Sequence, residues 1–392
     1  MTNLLSIVIY LFVFFISIYF TYCAQLKFEK YDRNQNKITF RRGILFSVAA
    51  MFLPVILAAF RADSVGTDVT VYAIRSFEIA STCKSIKDLW FVSNGELLFF
   101  LTGFILSKLG AGISAFLGMI QLLTILPIYI GAYKLRREYS MWFTMAGYFF
   151  LFYNLSLNVM RQSICVAFVF LAFSYFLEKR YKLCIILCVV SSLFHNSAIL
   201  GILILSAMWY LNKGSASTFK KFISVIFIFL AIAGIGQIGS LLYNLGIIKS
   251  NYLSYITRLL EGTFSTLQME VLNESSIFYL VLHFLFWLIP FVASVISKKN
   301  NKNDRFFSFL MFASFLVYSL ILYFLQTIIA YRITLFWDIF IIIYFPTLRK
   351  MFVHSKETYI LNNTFVLIFY FCYWYILFIY CNWHGTSVYM LR

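Results

Sequence analysis

Leu183–Leu211 reads LCIILCVVSSLFHNSAILGILILSAMWYL. One membrane crossing takes about 20 apolar residues, so this stretch is too long for a single helix, and His195–Asn196 interrupts it. It reads instead as two short helices with His195 at the bend. That choice sets the direction of every later crossing, and the distribution of charge along the chain tests it.

The surrounding composition leaves one broad class. Of 392 residues, 62% are hydrophobic and 12% charged, with a mean hydropathy of +0.86. A soluble fold cannot bury that much apolar surface. Apolar runs near spanning length recur throughout, which selects helices over the alternating strands of a barrel. Crossings are expected at Leu4–Tyr22, Gly43–Phe60, Ile113–Tyr133, Ser140–Asn154, Leu157–Leu177, Phe219–Tyr243, Ser276–Ser297, Phe306–Ile328, Ile333–Leu348 and Tyr359–Cys381. The fold class is therefore all-α: a polytopic integral membrane bundle of about 10–12 transmembrane helices, with short re-entrant segments. Residues 1–392 read as a single membrane domain. The opening MTNLLSIVIY has no basic n-region or small-residue cleavage site and reads as a retained helix.

The net charge of +17 is not a nucleic-acid signature, because the charges sit in loops between apolar runs. When the loops KFEKYDRNQNKITFRR, KLRRE, EKRYK, NKGSASTFKK, KKNNKNDR and LRKMFVHSKE face the cytoplasm, they hold 22 of the 32 Lys and Arg. This partition requires that Glu96–Ser107 dip into the membrane without crossing and that Leu183–Leu211 bend at His195. Both ends of the chain then lie outside, with two substantial outer loops at 61–95 and 244–275. The seven cysteines have no metal-ligand spacing and read as packing residues, although a Cys83–Cys381 disulfide is conceivable on an oxidising face.

Ionisable residues at membrane depth cost about 2.5–3.5 kcal/mol on insertion scales and are candidate functional groups. Arg61 closes a helix and reads either as a snorkelling side chain or as part of a site. Asp68 and Tyr72 lie one helical turn apart and can share a face; Asp68 reads equally as a helix cap. In YNLSLNVMRQSIC, a helix from Leu157 onward would place Asn158, Arg161, Gln162 and Cys165 on one face. Arg161 would stand in its first turn, where free amides attract an anion. His195 reads as a satisfied core histidine or as a functional group at a break. Arg332, interrupting Phe306–Leu348, reads as a turn marker or a cation of the site, and Asp338 is ambiguous. Glu96 reads as a cap or as a second carboxylate. Three arginines suit bidentate binding of phosphate. Carboxylates and a histidine beside them suit sugar hydroxyls and proton transfer. A lipid pyrophosphate bearing a sugar satisfies both halves.

FRADSVGTDVTVY, NGELLFFLTGFIL, LNVMRQSICVAFVFLAFSYFLEKRYK and SLFHNSAI, in that order over about Phe60–Ile199, resemble the EpsG family, Wzy-type polymerases of bacterial surface polysaccharides such as O-antigen. The resemblance implies a multi-pass protein of the bacterial inner membrane, related in fold to the GT-C enzymes, with its site on the periplasmic face. It implies a glycosyltransferase that moves a growing glycan from undecaprenyl pyrophosphate to a lipid-linked repeat unit; no metal-site spacing appears, a charge-matched phosphate departs readily, and no cofactor or metal is expected. On the residue reading beside it, Arg161, Arg332 and Arg61 would bind pyrophosphate, and His195, or else Asp68, would accept the proton of the attacking hydroxyl, with Glu96 as a further catalytic carboxylate. Tyr72, Asn158 and Gln162 would line the substrate. The implied partners are undecaprenyl-pyrophosphate-linked oligosaccharides, the bilayer and a chain-length regulator protein. A flippase or exporter of the same glycan, or an O-antigen ligase, remains the alternative.

Overall fold

The computed structural model describes residues 3–93, 95–212, 281–290, 292, 334–348 and 355–392. Among them the regular structure is helical, and the one β-bridge joins Arg61 to Leu391. Five helices are long and apolar enough to cross a membrane, and five shorter apolar helices accompany them. The expected crossings Phe219–Tyr243 and Phe306–Ile328, the loop 244–275 and Arg332 lie outside the described residues, and Ser276–Ser297 and Ile333–Leu348 are described in part.

The chain forms two compact units. Met1–Ala198 with Ile339–Arg392 makes one, and Ile199–Asp338 the other. In the second, Asp338 is fully buried; His283 Nδ1 lies 3.2 Å from its Oδ2, and Trp287 Nε1 donates to its Oδ1 at 3.2 Å. That resolves the ambiguity of Asp338: it is a paired interior carboxylate of this unit.

The first unit begins with α1 (Asn3–Asn34) and α2 (Lys37–Ala59), which pack along each other. At about 1.5 Å per residue, α1 is about 48 Å long and outruns the hydrocarbon core. The basic stretch after Tyr22, expected as a loop, is instead helical on both sides of a tight turn. Gln25 Nε2 bonds Glu29 Oε1 at 2.7 Å along α1, Gln35 takes a left-handed φ of 52°, and Asn36 caps α2 by accepting from Ile38 N at 2.8 Å.

After a π-helical turn at Val69–Ile74 come α3 (Arg75–Thr82), α4 (Ile86–Val92) and α5 (Leu97–Lys108). Helix α5 covers only about 18 Å. The next helix, α6 (Ile113–Leu135), starts a few residues later and runs to the far end, so α5 dips rather than crosses, as expected. The run from Met141 is interrupted: α7 (Met141–Tyr148), a π-turn at Phe149–Tyr153, α8 (Asn154–Asn158), a break at Val159, then α9 (Met160–Leu177). Helix α10 (Tyr181–Phe194) ends at His195, which is extended at φ −159° and ψ 135°, and α11 (Ala198–Asn212) follows. The helix break expected at His195 is present. The last long helix, α12 (Lys356–Trp374), continues through a π-turn into the tail 382–392.

The two ends of this unit differ chemically. At one, Arg136 Nη2 pairs with Asp32 at 2.8 Å and Lys134 with Glu178 at 2.7 Å, joining three of the basic loops. At the other, the tail 382–392 folds back over the segment after α2. Ala62 N donates to Met390 O at 2.7 Å, Gly66 N to Gly385 O at 3.1 Å, and Arg392 N to Phe60 O at 2.8 Å; Arg392 also pairs with Asp63. All seven cysteines are free thiols, so Cys83 and Cys381 are not bridged.

An aromatic cluster supports that second end. Phe14 lies 5.3 Å from Tyr153, 5.5 Å from Phe150 and 5.9 Å from Trp374 by ring centroids. Lipid offers no hydrophobic drive for helix pairing, so such packing and interhelical hydrogen bonds hold the helices together. Asn154, fully buried, accepts from Trp374 Nε1 at 2.9 Å and donates to Thr386 Oγ1 at 3.2 Å. Asn154→Leu is expected to leave Trp374 Nε1 without this acceptor and to cost about 1–3 kcal/mol. Thermal unfolding of the detergent-solubilised variant checks this; an unchanged midpoint would show that the asparagine is no tie between α8 and the tail.

Candidate functional site

The break at Val159 governs the site. Val159 has ψ 56°, outside the helical range, so α8 ends at Asn158 and α9 begins at Met160. The shared face expected for Asn158, Arg161, Gln162 and Cys165 therefore holds only from Arg161 onward. The break turns Asn158 toward the segment after α2, while Arg161 occupies the first turn of α9, whose amides and dipole favour negative charge. Gln162 is buried, as is Cys165, whose Sγ lies 2.9 Å from Ser191 Oγ.

Arg161, Glu96, His195 and Tyr72 meet. Arg161 Nη1 is ion-paired with Glu96 Oε2, and His195 Nε2 lies 3.6 Å from Glu96 Oε1. The Arg161 guanidinium stacks over the Tyr72 ring at 4.6 Å. Glu96 stands at the N-cap position of α5 but makes no side-chain capping bond; its carboxylate is turned to Arg161 instead. Gly95 delivers it with φ 89°, open to glycine at little cost, and a Cβ there would meet the Asn196 side chain at 3.2 Å. Burial holds the Glu96 carboxyl above the ordinary glutamate range; Arg161 opposes that rise without cancelling it.

The protonation of His195 follows from its neighbours. Ser197 N can only donate, and it lies 3.1 Å from His195 Nδ1. Nδ1 is thus the acceptor, and in the neutral ring the proton sits on Nε2, facing Glu96. Glu96 is therefore approached by an arginine on one oxygen and an imidazole N–H on the other.

A second polar cluster adjoins the first through the π-turn that leads from Asp68 to Tyr72. Asn158 Oδ1 accepts from Asp68 N at 2.6 Å and from Thr67 Oγ1 at 3.1 Å, and Asn158 Nδ2 lies 2.9 Å from His384 Nδ1. Asp68 occupies the N-cap position of the π-turn without a side-chain capping bond. Gly66, at φ 98°, lets the segment pass within reach of Leu157 O, which a Cβ would meet at 2.9 Å. His384 escaped the sequence reading. Its only signal was a histidine beside Gly385 in a short polar tail, and nothing in the spacing linked it to residue 158.

Arg61 is placed differently from the others. It is 1% exposed, and its guanidinium donates to Ala58 O and Leu157 O, each at 3.0 Å, and to Met160 Sδ at 3.3 Å. Burial lowers its pKa to about 10. It ties the end of α2 to the α8–α9 break rather than facing the Glu96–Arg161 pair. Arg332 lies outside the described residues.

The family model for the EpsG family matches residues 43–391. The chain belongs to the EpsG family, and the match reaches past Ile199 to include the tail. No curated protein and no solved structure matches it. Membership points to a membrane polysaccharide polymerase of glycosyltransferase type.

Removing one member of a buried pair costs more than removing both, because the remaining charge is stranded. Arg161→Gln is expected to destabilise the protein by about 2 kcal/mol, a figure kept low because Arg161 is partly exposed. Adding Glu96→Gln is expected to restore about half. Thermal unfolding of the two single variants and the double variant checks this; additive losses would mean that the pair is not coupled.

Proposed function

We propose that this EpsG-family chain transfers a growing glycan from undecaprenyl pyrophosphate to the terminal sugar of a lipid-linked repeat unit, and that the Glu96–Arg161 pair is the reacting centre. The observation that carries this reading is a guanidinium at a helix start, held by one carboxylate that also faces an imidazole N–H. The basic end of the unit would face the cytoplasm by the positive-inside rule, leaving the site at the periplasmic side of the inner membrane.

The chemistry follows from an exchange of partners. A pyrophosphate entering at the first turn of α9 competes with Glu96 for Arg161. As the bond between the anomeric carbon and the phosphate oxygen breaks, negative charge grows on the leaving group, and a preorganised cation stabilises it most at that stage. Glu96, relieved of Arg161, becomes more basic and accepts the proton of the attacking hydroxyl, whose oxygen forms the new glycosidic bond. His195 Nε2–H steadies the other carboxylate oxygen. Because His195 Nδ1 already accepts from Ser197 N, we assign proton acceptance to Glu96, with Asp68 binding hydroxyls nearby. Single displacement inverts the anomeric carbon. Arg332 is retained as a second pyrophosphate ligand, Arg61 as the brace behind Arg161, and Tyr72 and Gln162 as lining.

Two outcomes are expected. In a deletion strain carrying Arg161→Ala, the surface glycan on a gel should collapse from a ladder to one repeat unit, with at least a 100-fold loss of polymerisation and the protein still in the membrane. A retained ladder would sink the proposal, and loss of all surface glycan would indicate a flippase. The pH profile supplies the second. Glu96 works as the anion, so activity is present above its raised pKa and lost as pH falls through it. The acid limb should therefore lie above the range of an exposed glutamate and vanish in Glu96→Gln together with most activity. An acid limb at the ordinary glutamate position would assign the proton to another group.

A further inference from the structure

We infer that His384, in the tail, is a positioning residue of the site: through Asn158 it sets the Asp68 segment as a subsite for sugar hydroxyls. The inference rests on the glycosyl-transfer reading above. The hydrogen-bond directions are forced. Asp68 N can only donate, so the atom of Asn158 that it meets at 2.6 Å is the carbonyl oxygen. The amide nitrogen is then the atom 2.9 Å from His384 Nδ1, and an NH2 group can only donate. His384 therefore accepts at Nδ1, and the amide of Asn158 is fixed at both ends.

The tail backbone is committed to this arrangement. Asn382, His384 and Gly385 all adopt left-handed φ, at 47°, 66° and 66°. For the two non-glycine residues that conformation is unfavourable, and it persists where surrounding contacts enforce it. The contacts are present: Ser387 N donates to Asn382 Oδ1 at 3.1 Å, Gly385 N to Asn382 O at 3.0 Å, and Thr67 N to His384 O at 3.3 Å. Trp383 stacks on the His384 ring at 4.4 Å and on Phe378 at 6.0 Å. An acid, Asp68, and a hydroxyl, Thr67, set side by side by that buried amide, with the Trp383 ring on the neighbouring tail, is chemistry that recognises sugar hydroxyls. The cationic chemistry lies on the Arg161 side of the π-turn, so this side is assigned to sugar.

The test separates positioning from mere structure. His384→Asn keeps an acceptor near the place of Nδ1 and tolerates left-handed φ; His384→Gln moves its polar group beyond reach. With lipid-linked repeat units extracted from the deletion strain as substrate and detergent-purified protein, His384→Gln should raise KM about 10-fold and change kcat less than threefold. His384→Asn should stay within threefold of the parent in both. In an Asn158→Ala background His384→Gln should add nothing, since its effect passes through Asn158. Equal losses in the Asn and Gln variants, an unchanged KM in His384→Gln, or an additive effect in the Asn158→Ala background would overturn the inference. Should His384→Gln fail to fold, Asn158→Ala, which removes the link to His384 altogether, must raise KM likewise or the inference falls. Arg161→Ala assayed beside them distinguishes the failures: its loss of turnover with unaffected His384 variants would leave the proposed reaction standing and this inference alone refuted.

Discussion

A buried carboxylate and the partly exposed guanidinium that faces it hold this site in place. Glu96 is the costlier of the two to bury alone, since an isolated buried ion is far costlier than a pair. Their pairing requires that the start of α9 face the start of α5. That in turn requires the chain to break at Val159, α5 to stop short of a crossing, and His195 to end α10 at the same level. The interrupted helices follow from this: each interruption delivers one polar group to one place. Non-helical backbone at membrane depth is tolerated where protein satisfies its polar groups. Here Arg61 covers Leu157 O, and Asn158 covers Asp68 N.

How much of this was legible follows the physics of each signal. Segments whose length conflicted with bilayer thickness were readable. The bend at His195 and the shortness of α5 came from counting apolar residues and balancing basic loops. Glu96, Arg161 and His195 were readable because ionisable groups among apolar ones are conspicuous. The break at Val159 was not, since NLSLNVMRQ suits a continuous helix and only tertiary contacts impose the kink. The helical extension of α1 through Lys27 and Arg33 was hidden for the opposite reason: polar residues looked like loop, although Gln, Glu, Lys and Arg are good helix formers. His384 was invisible because the partner that gives it meaning is 226 residues away.

The family match and the geometry bear on different questions. Membership covers nearly the whole chain and gives the broad activity. The coordinates add a division of labour inside the first unit, with basic loops pinned to one another at one end and the polar clusters at the other. Charge pairing at the far end does no chemistry in this scheme; it fixes the register of α1, α6 and α9.

The fold-back of residues 382–392 also sets an order of events during biogenesis. The strands of backbone around Gly66 wait, with their amides unmet by the tail, until a segment made some three hundred residues later reaches them. A ribosome still threading the middle of the chain into the bilayer has thus produced the arginine and the carboxylate but not the wall beside them. The contact between Asn158 and His384 can form only once that later segment has arrived.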